Sequence, residues 1–181
     1  MTTRFAAALL ASIVSAGACR SGGAPPPTQP TVEMTSGIAS DQALFQFVTI
    51  TQPFASYGRF PSVDVLRSGT SAHQPFVRVS MNAMAFAALQ NGRLPAGSEF
   101  PTGSLIFKEV LSSQSGAVDV WALMYKDRAN SHAGDGWLWA EIRPSGAIVY
   151  SITDRGRACT GCHSLEQGPQ NDLVRTFERQ R

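Results

Sequence analysis

The sequence predicts an α+β domain, a mainly antiparallel β-sheet with a few peripheral helices. Two observations predict it. Apolar and β-branched runs recur at Phe76 to Met81, within Phe100 to Leu111, and at Val118 to Lys126, Gly136 to Arg143 and Ala147 to Ile152. Turn residues such as Pro101-Thr102-Gly103 and Pro144-Ser145-Gly146 stand before or between these runs, so successive strands are expected to double back on one another. Helical spacing, by contrast, is confined to short stretches.

Taken in order, Ser40-Asp41 marks a helix start. Ala43, Leu44, Phe47 and Val48 follow at helical spacing, and Pro53 stops the run. Residues 54–74 are rich in Gly, Ser and Pro and read as a long loop. After the Phe76 to Met81 strand, an Ala, Met, Phe and Leu run from Asn82 to Leu89 reads as a short helix closed by Asn91-Gly92. In the strand ending at Leu111, alternation puts Ser104, Ile106, Lys108 and Val110 on one face. Leu105, Phe107, Glu109 and Leu111 take the other. Both faces are apolar, so one of the two neighbouring ionisable groups is expected to point into something enclosed. That is costly unless the charge is paired or functional, although a lysine can also snorkel to an edge or simply pair with a glutamate. Asn171-Asp172 is expected to cap a last short helix, Leu173 to Arg179.

At 181 residues the chain has room for one domain plus targeting sequence. An apolar fraction of 43% suffices for a packed core, and a net charge of +2 is too small to imply nucleic acid or an anionic membrane surface as partner. Residues 1–18 read as a secretory signal, with Arg4 ahead of an apolar run and small residues before Cys19. Ala16-Gly17-Ala18-Cys19 fits a lipoprotein cleavage site, with Cys19 lipidated, and also an ordinary signal cut. Cysteine arithmetic favours lipidation, because the other two cysteines are otherwise engaged and leave Cys19 no disulfide partner. Residues 19–39 form a Pro/Gly-rich flexible tether, and the folded domain occupies 40–181.

Those other two cysteines lie in Cys159-Thr160-Gly161-Cys162-His163, the C-x-x-C-H pattern of covalent c-type haem attachment. Two thiols at that spacing can add to the two vinyl groups of one porphyrin, and the next residue, His163, then supplies an imidazole nitrogen to the iron. A thioredoxin-like dithiol would stand near the start of a βαβ unit, whereas this motif is late in the chain. A zinc site would need further ligands, and only Cys19, His73 and His132 remain. An ordinary small cytochrome c carries its motif early and a methionine ligand downstream. Here no methionine follows His163, and Met81, Met84 and Met124 sit in apolar patterns that read as core. An open iron position, which binds small molecules, is therefore expected.

The stretch Phe100-Pro-x-Gly-Ser-Leu-Ile-Phe-Lys108-Glu109-Val110 resembles a characteristic run of the cytochrome P460 family. Val79-Ser80-Met81-Asn82, Met124-Tyr125-Lys126-Asp127, Gly136-Trp137-Leu138-Trp139 and the late C-T-G-C-H follow in the family's order. Thr102 departs from an aspartate in the family's turn. The resemblance, from about Gln42 to the C-terminus, implies a mainly antiparallel sheet, commonly dimeric. It also implies one c-type haem with a histidine on one face and an open or water-filled position on the other. In the family's enzymes, which oxidise hydroxylamine to nitric or nitrous oxide, a lysine is linked to the porphyrin edge, and Lys108 stands at the matching position. A bond to the macrocycle is one lever a protein has on haem reactivity.

The expected protein is thus exported to the periplasmic side of a bacterial membrane, lipid-anchored through Cys19 or soluble there. Its expected partners are hydroxylamine or nitric oxide, a periplasmic electron-transfer protein and a second copy of itself, without nucleic acid. A proton-accepting carboxylate is required, with Glu109, Glu141 and Asp154 as candidates by residue type. His73 and His132, in polar loops, are expected to carry nothing, and Trp137 and Trp139 to be core. Two rivals remain: a nitric oxide or carbon monoxide binder of the related cytochrome c-prime-beta type, with aromatic side chains capping the distal face, and a plain electron-transfer cytochrome.

Overall fold

A computed structural model describes residues 37–59, 64–65 and 72–176. The signal segment, Cys19 and the tether up to residue 36 lie outside these residues. Ser40 caps the first helix, α1 (Asp41–Gln46), its hydroxyl accepting from the Ala43 amide at 3.1 Å. A π-helical stretch, Phe47–Thr51, carries the turns on to the stop ahead of Pro53. The 54–74 segment, read from sequence as loop, holds a 3₁₀ turn at Phe54–Ser56 and two short strands, β1 (Gly58–Arg59) and β2 (Asp64–Val65). Two-residue strands are too short to show an alternation, and they form by pairing along the edge of β3 (Phe76–Met81).

The remaining strands are β4 (Leu105–Leu111), β5 (Val118–Lys126), β6 (Trp137–Ile142) and β7 (Ile148–Tyr150), each within a residue or two of its sequence expectation. All pairings are antiparallel, in the order β1-β3-β4-β5-β6-β7 with β2 also on β3. The fold is therefore α+β and mainly sheet. Between β3 and β4, α2 (Ala83–Ala87) is capped by Asn82. Asn91 and Gly92 have φ of 52° and 74° and turn the chain between bridged Gln90 and Arg93. They form a separate tight turn, since the helix already ends at Ala88. The expected helix from Leu173 does not start there, because Asp172 and Leu173 both have positive φ after a 3₁₀ turn at Gly168–Asn171. Residues 177–179 of that expectation lie outside the described set.

Buried Asn82 joins several of these elements. Its Oδ1 accepts from the amides of Ala85 and Leu105 at 3.0 and 3.1 Å, and its Nδ2 donates to the Gly103 carbonyl at 2.8 Å. Asn82→Ala is expected to cost about 2 kcal/mol in urea unfolding, by losing a cap and stranding buried amides. A change below about 0.5 kcal/mol would show that the cap is dispensable.

Pairing fixes which residues share a face. One face carries Leu105, Phe107, Trp121, Leu123, Tyr125, Leu138, Ala140 and Ile142, covered by Leu44 and Val48 of the N-terminal helical segment. The opposite face carries Val79, Met81, Ile106, Met124, Trp137 and Trp139, covered by Ala85 of α2, Phe100 and the C-terminal residues Cys159, Leu173 and Val174. Lys108 stands on this second face, in the register row Val79, Lys108, Ala122, Glu141.

Candidate functional site

The C-x-x-C-H residues form a short turn of helix, α3 (Thr160–His163), seated on the second sheet face. Buried Gly156, at φ 69°, lets the chain approach closely, for an added Cβ would lie 2.3 Å from the Trp139 ring. Trp139 is held in turn by donating Nε1 to the Gly134 carbonyl at 2.9 Å. Cys159 is half-buried against the apolar cluster and Cys162 is exposed, both as free thiols. Burial, followed by the charges of Glu141, Cys162 and Asp154, pushes the Cys159 thiol up to about 11.

His163 packs edge-on against Trp139, ring centroids 4.8 Å apart at 77°. Its Nδ1 lies 2.6 Å from the Leu173 carbonyl oxygen. A carbonyl only accepts, so the bond assigns the proton to Nδ1 and leaves the Nε2 lone pair available to a metal. Burial, then the charge of Lys108, pushes the imidazole down to about 3, which keeps that lone pair free at neutral pH.

Across the same face runs a polar chain. Lys108 Nζ lies 3.3 Å from His73 Nδ1, and His73 Nε2 lies 3.0 Å from Glu141 Oε1. Burial lowers Lys108 to about 8 against an upward pull from Glu141. His73 is lowered by burial and by Lys108, and the hydrogen bond to His73 lowers Glu141. His73, expected to carry nothing, therefore links two groups singled out from sequence. Its loop has no periodicity to betray that. Only its chemistry, an imidazole in an otherwise Gly/Ser-rich stretch, could have flagged it.

A second buried cluster has no counterpart among the sequence expectations. Lys126, 1% exposed, donates from Nζ to Asp172 Oδ1 at 2.7 Å, and the ammonium lies 4.8 Å from the Trp137 ring centroid. Trp137 Nε1 lies 3.1 Å from the Asp172 carbonyl oxygen and 3.3 Å from its Oδ1, and the Phe100 amide donates to Oδ2 at 2.9 Å.

The other candidates fall elsewhere. Glu109 is on the opposite face, bound by Arg78 Nε and Nη2 at 2.5 and 2.7 Å. Asp154 pairs with Arg157 at 3.4 Å, and His132 does not join the polar chain. Met81 and Met124 are core as expected, but Met84 is exposed. Of the aromatic rings, Phe45, Phe47, Phe54 and Phe107 pack on the face away from Lys108.

These residues fit a haem held at one end by two thioethers and an imidazole. The thiols are free, the imidazole carries the right tautomer, and Arg175, bound to the Cys162 carbonyl at 2.9 Å and ion-paired with Glu166 at 2.7 Å, keeps a buried Nε without a hydrogen-bond partner among the described residues. Such a donor suits the acidic edge of a porphyrin. In comparison with known families, the model described as Cytochrome P460 matches residues 59–176. No curated protein matches the chain.

Proposed function

The chain belongs to the cytochrome P460 family and is a haem cytochrome of that type, and from this premise we propose that it carries one c-type haem on Cys159, Cys162 and His163 and uses it to oxidise hydroxylamine. The observation that carries the proposal is His163, with Nδ1 committed to the Leu173 carbonyl and Nε2 left over, one position after two free thiols. Bound haem would supply an electron sink for a small nitrogenous ligand at its open side. The protein's own residues account for the protons.

Oxidation of hydroxylamine to nitric or nitrous oxide releases a proton with each electron, so a nearby base is needed. His73 suits the end of a proton relay: burial and Lys108 keep its imidazole neutral, its Nδ1 faces Lys108 Nζ and its Nε2 faces Glu141, so a proton reaches it through the Lys108 amine and Glu141 steadies the charged form. Lys108, lowered to about 8, has a usable fraction of free amine near neutrality, whose lone pair a link to a porphyrin carbon would require; that link displaces a ring hydrogen and needs a two-electron oxidant from solution. Export, lipidation at Cys19, a periplasmic electron acceptor and a homodimer belong to the same proposal, resting on the sequence alone.

Peptide mapping of the matured protein is expected to find the porphyrin on the Cys159–Cys162 peptide, and on the Lys108 peptide if the link forms. His73→Ala is expected to lower hydroxylamine turnover roughly 100-fold while haem content is unchanged. A parent protein that binds nitric oxide but leaves hydroxylamine intact would favour the gas-binding alternative. A second axial ligand from the chain would favour plain electron transfer.

A further inference from the structure

We propose that Asp172, clasped by Lys126 and Trp137, is a positioning residue that sets how strongly the Leu173 carbonyl draws on His163 Nδ1, and thereby the donor strength of Nε2 toward iron. The inference rests on the reading of His163 as the haem ligand. Its starting point is the backbone: Asp172 and Leu173 are consecutive non-glycine residues with φ of 51° and 66°, an arrangement that persists only when its surroundings hold it.

Three donors hold it through the side chain. The Asp172 carboxylate receives the Lys126 ammonium at 2.7 Å, the Trp137 indole N–H at 3.3 Å and the Phe100 amide at 2.9 Å. The same indole N–H lies 3.1 Å from the Asp172 carbonyl. Lys126 and Trp137 are register partners at the end of β5 and the start of β6, so the clasp ties one peptide to the rigid sheet. The next carbonyl, that of Leu173, is the one that meets His163 at 2.6 Å. The Leu173 amide is tied down as well, donating to the Gly168 carbonyl at 2.6 Å.

A partner on the far nitrogen of a metal-bound imidazole fixes its tautomer and raises its basicity. Here the acceptor is main chain, so its aim is controlled from one residue upstream. The carboxylate and the Lys126 ammonium form a neutral pair beside that carbonyl, so removing either charge leaves the other uncompensated and changes the field there in opposite senses.

The test compares haem-loaded full-length parent with Asp172→Asn, Lys126→Met and Lys126→Arg. Asparagine tolerates positive φ, so Asp172→Asn removes charge while keeping the backbone. The readouts are the ferrous iron–histidine stretch by resonance Raman and the reduction potential. Asp172→Asn, which leaves the Lys126 ammonium uncompensated, is expected to shift the stretch down and the potential up, whereas Lys126→Met, which leaves the carboxylate uncompensated, is expected to shift the stretch up and the potential down, with Lys126→Arg staying near the parent. Ser40→Ala, which removes the cap of α1 on the opposite face of the sheet, is expected to move neither. A folded Asp172→Asn or Lys126→Met protein with parental stretch and potential overturns the proposal and leaves the haem reading intact. A parent without an iron–histidine band, or a band that survives in His163→Gly, overturns the ligand reading and this proposal with it.

Discussion

Gly168→Ala is expected to unseat His163 and to lower the haem-bearing fraction of the protein roughly tenfold or more. A Cβ on Gly168 would lie 1.8 Å from the His163 carbonyl oxygen and 2.9 Å from its carbon. Both partners are main chain, so no rotamer change can relieve the clash. The Gly168–Asn171 turn and α3 would have to separate. Gly168 also accepts from the Leu173 amide, so the separation would pull the Leu173 carbonyl away from Nδ1. The ratio of haem absorbance to protein absorbance, backed by intact mass, measures the effect. Parental loading by the alanine variant would show that these two turns are not coupled.

Lys108→Met is expected to make the haem-free protein more stable at neutral pH, by up to about 3 kcal/mol. Burial takes the amine from an ordinary 10.5 to about 8 in the folded chain. Between those two values the unfolded chain holds more protons than the folded one, so stability rises with pH through that window. Below about pH 8 the whole penalty of enclosing the charge is present, and methionine removes it. Urea unfolding from about pH 6 to about pH 10 is expected to show a rising limb in the parent that flattens in Lys108→Met. A less stable methionine variant, or an unchanged slope, would mean that His73 and Glu141 compensate the charge fully. A protein that keeps such a cost at a surface it could fill with an apolar side chain is holding the amine for use. Lys126 differs because its charge meets Asp172 directly.

The sheet is legible in the sequence because its signals are local. Strands β3 to β7 show as apolar runs bounded by turn residues, and the alternation along β4 sets Lys108 and Glu109 on opposite faces. The thiol and imidazole spacing in Cys159 to His163 is equally plain. What stays hidden depends on contacts between distant segments. His73 meets Glu141 across 68 residues, and Lys126 meets Asp172 across 46. Nothing in the local pattern of either pair announces the other. Asp172 and Leu173 mislead for a related reason. Asn-Asp is a good helix start by composition, but the clasp holds Asp172 in a left-handed turn instead. The register rows then show why Glu141 and Lys108 share a site: they are the same distance along strands two apart.

Behind Lys108, Glu109 is 4% exposed and grips Arg78 on the neighbouring strand, beside the stacked rings of Phe54 and Phe107. Sliding β4 by one residue would exchange these neighbours, driving an ammonium among aromatic rings and setting a carboxylate against Glu141. The misthreaded sheet thus carries its own penalty from both directions. Adjacent opposite charges in this strand act as a proofreading mark for the chain, one that works whether or not iron is ever delivered.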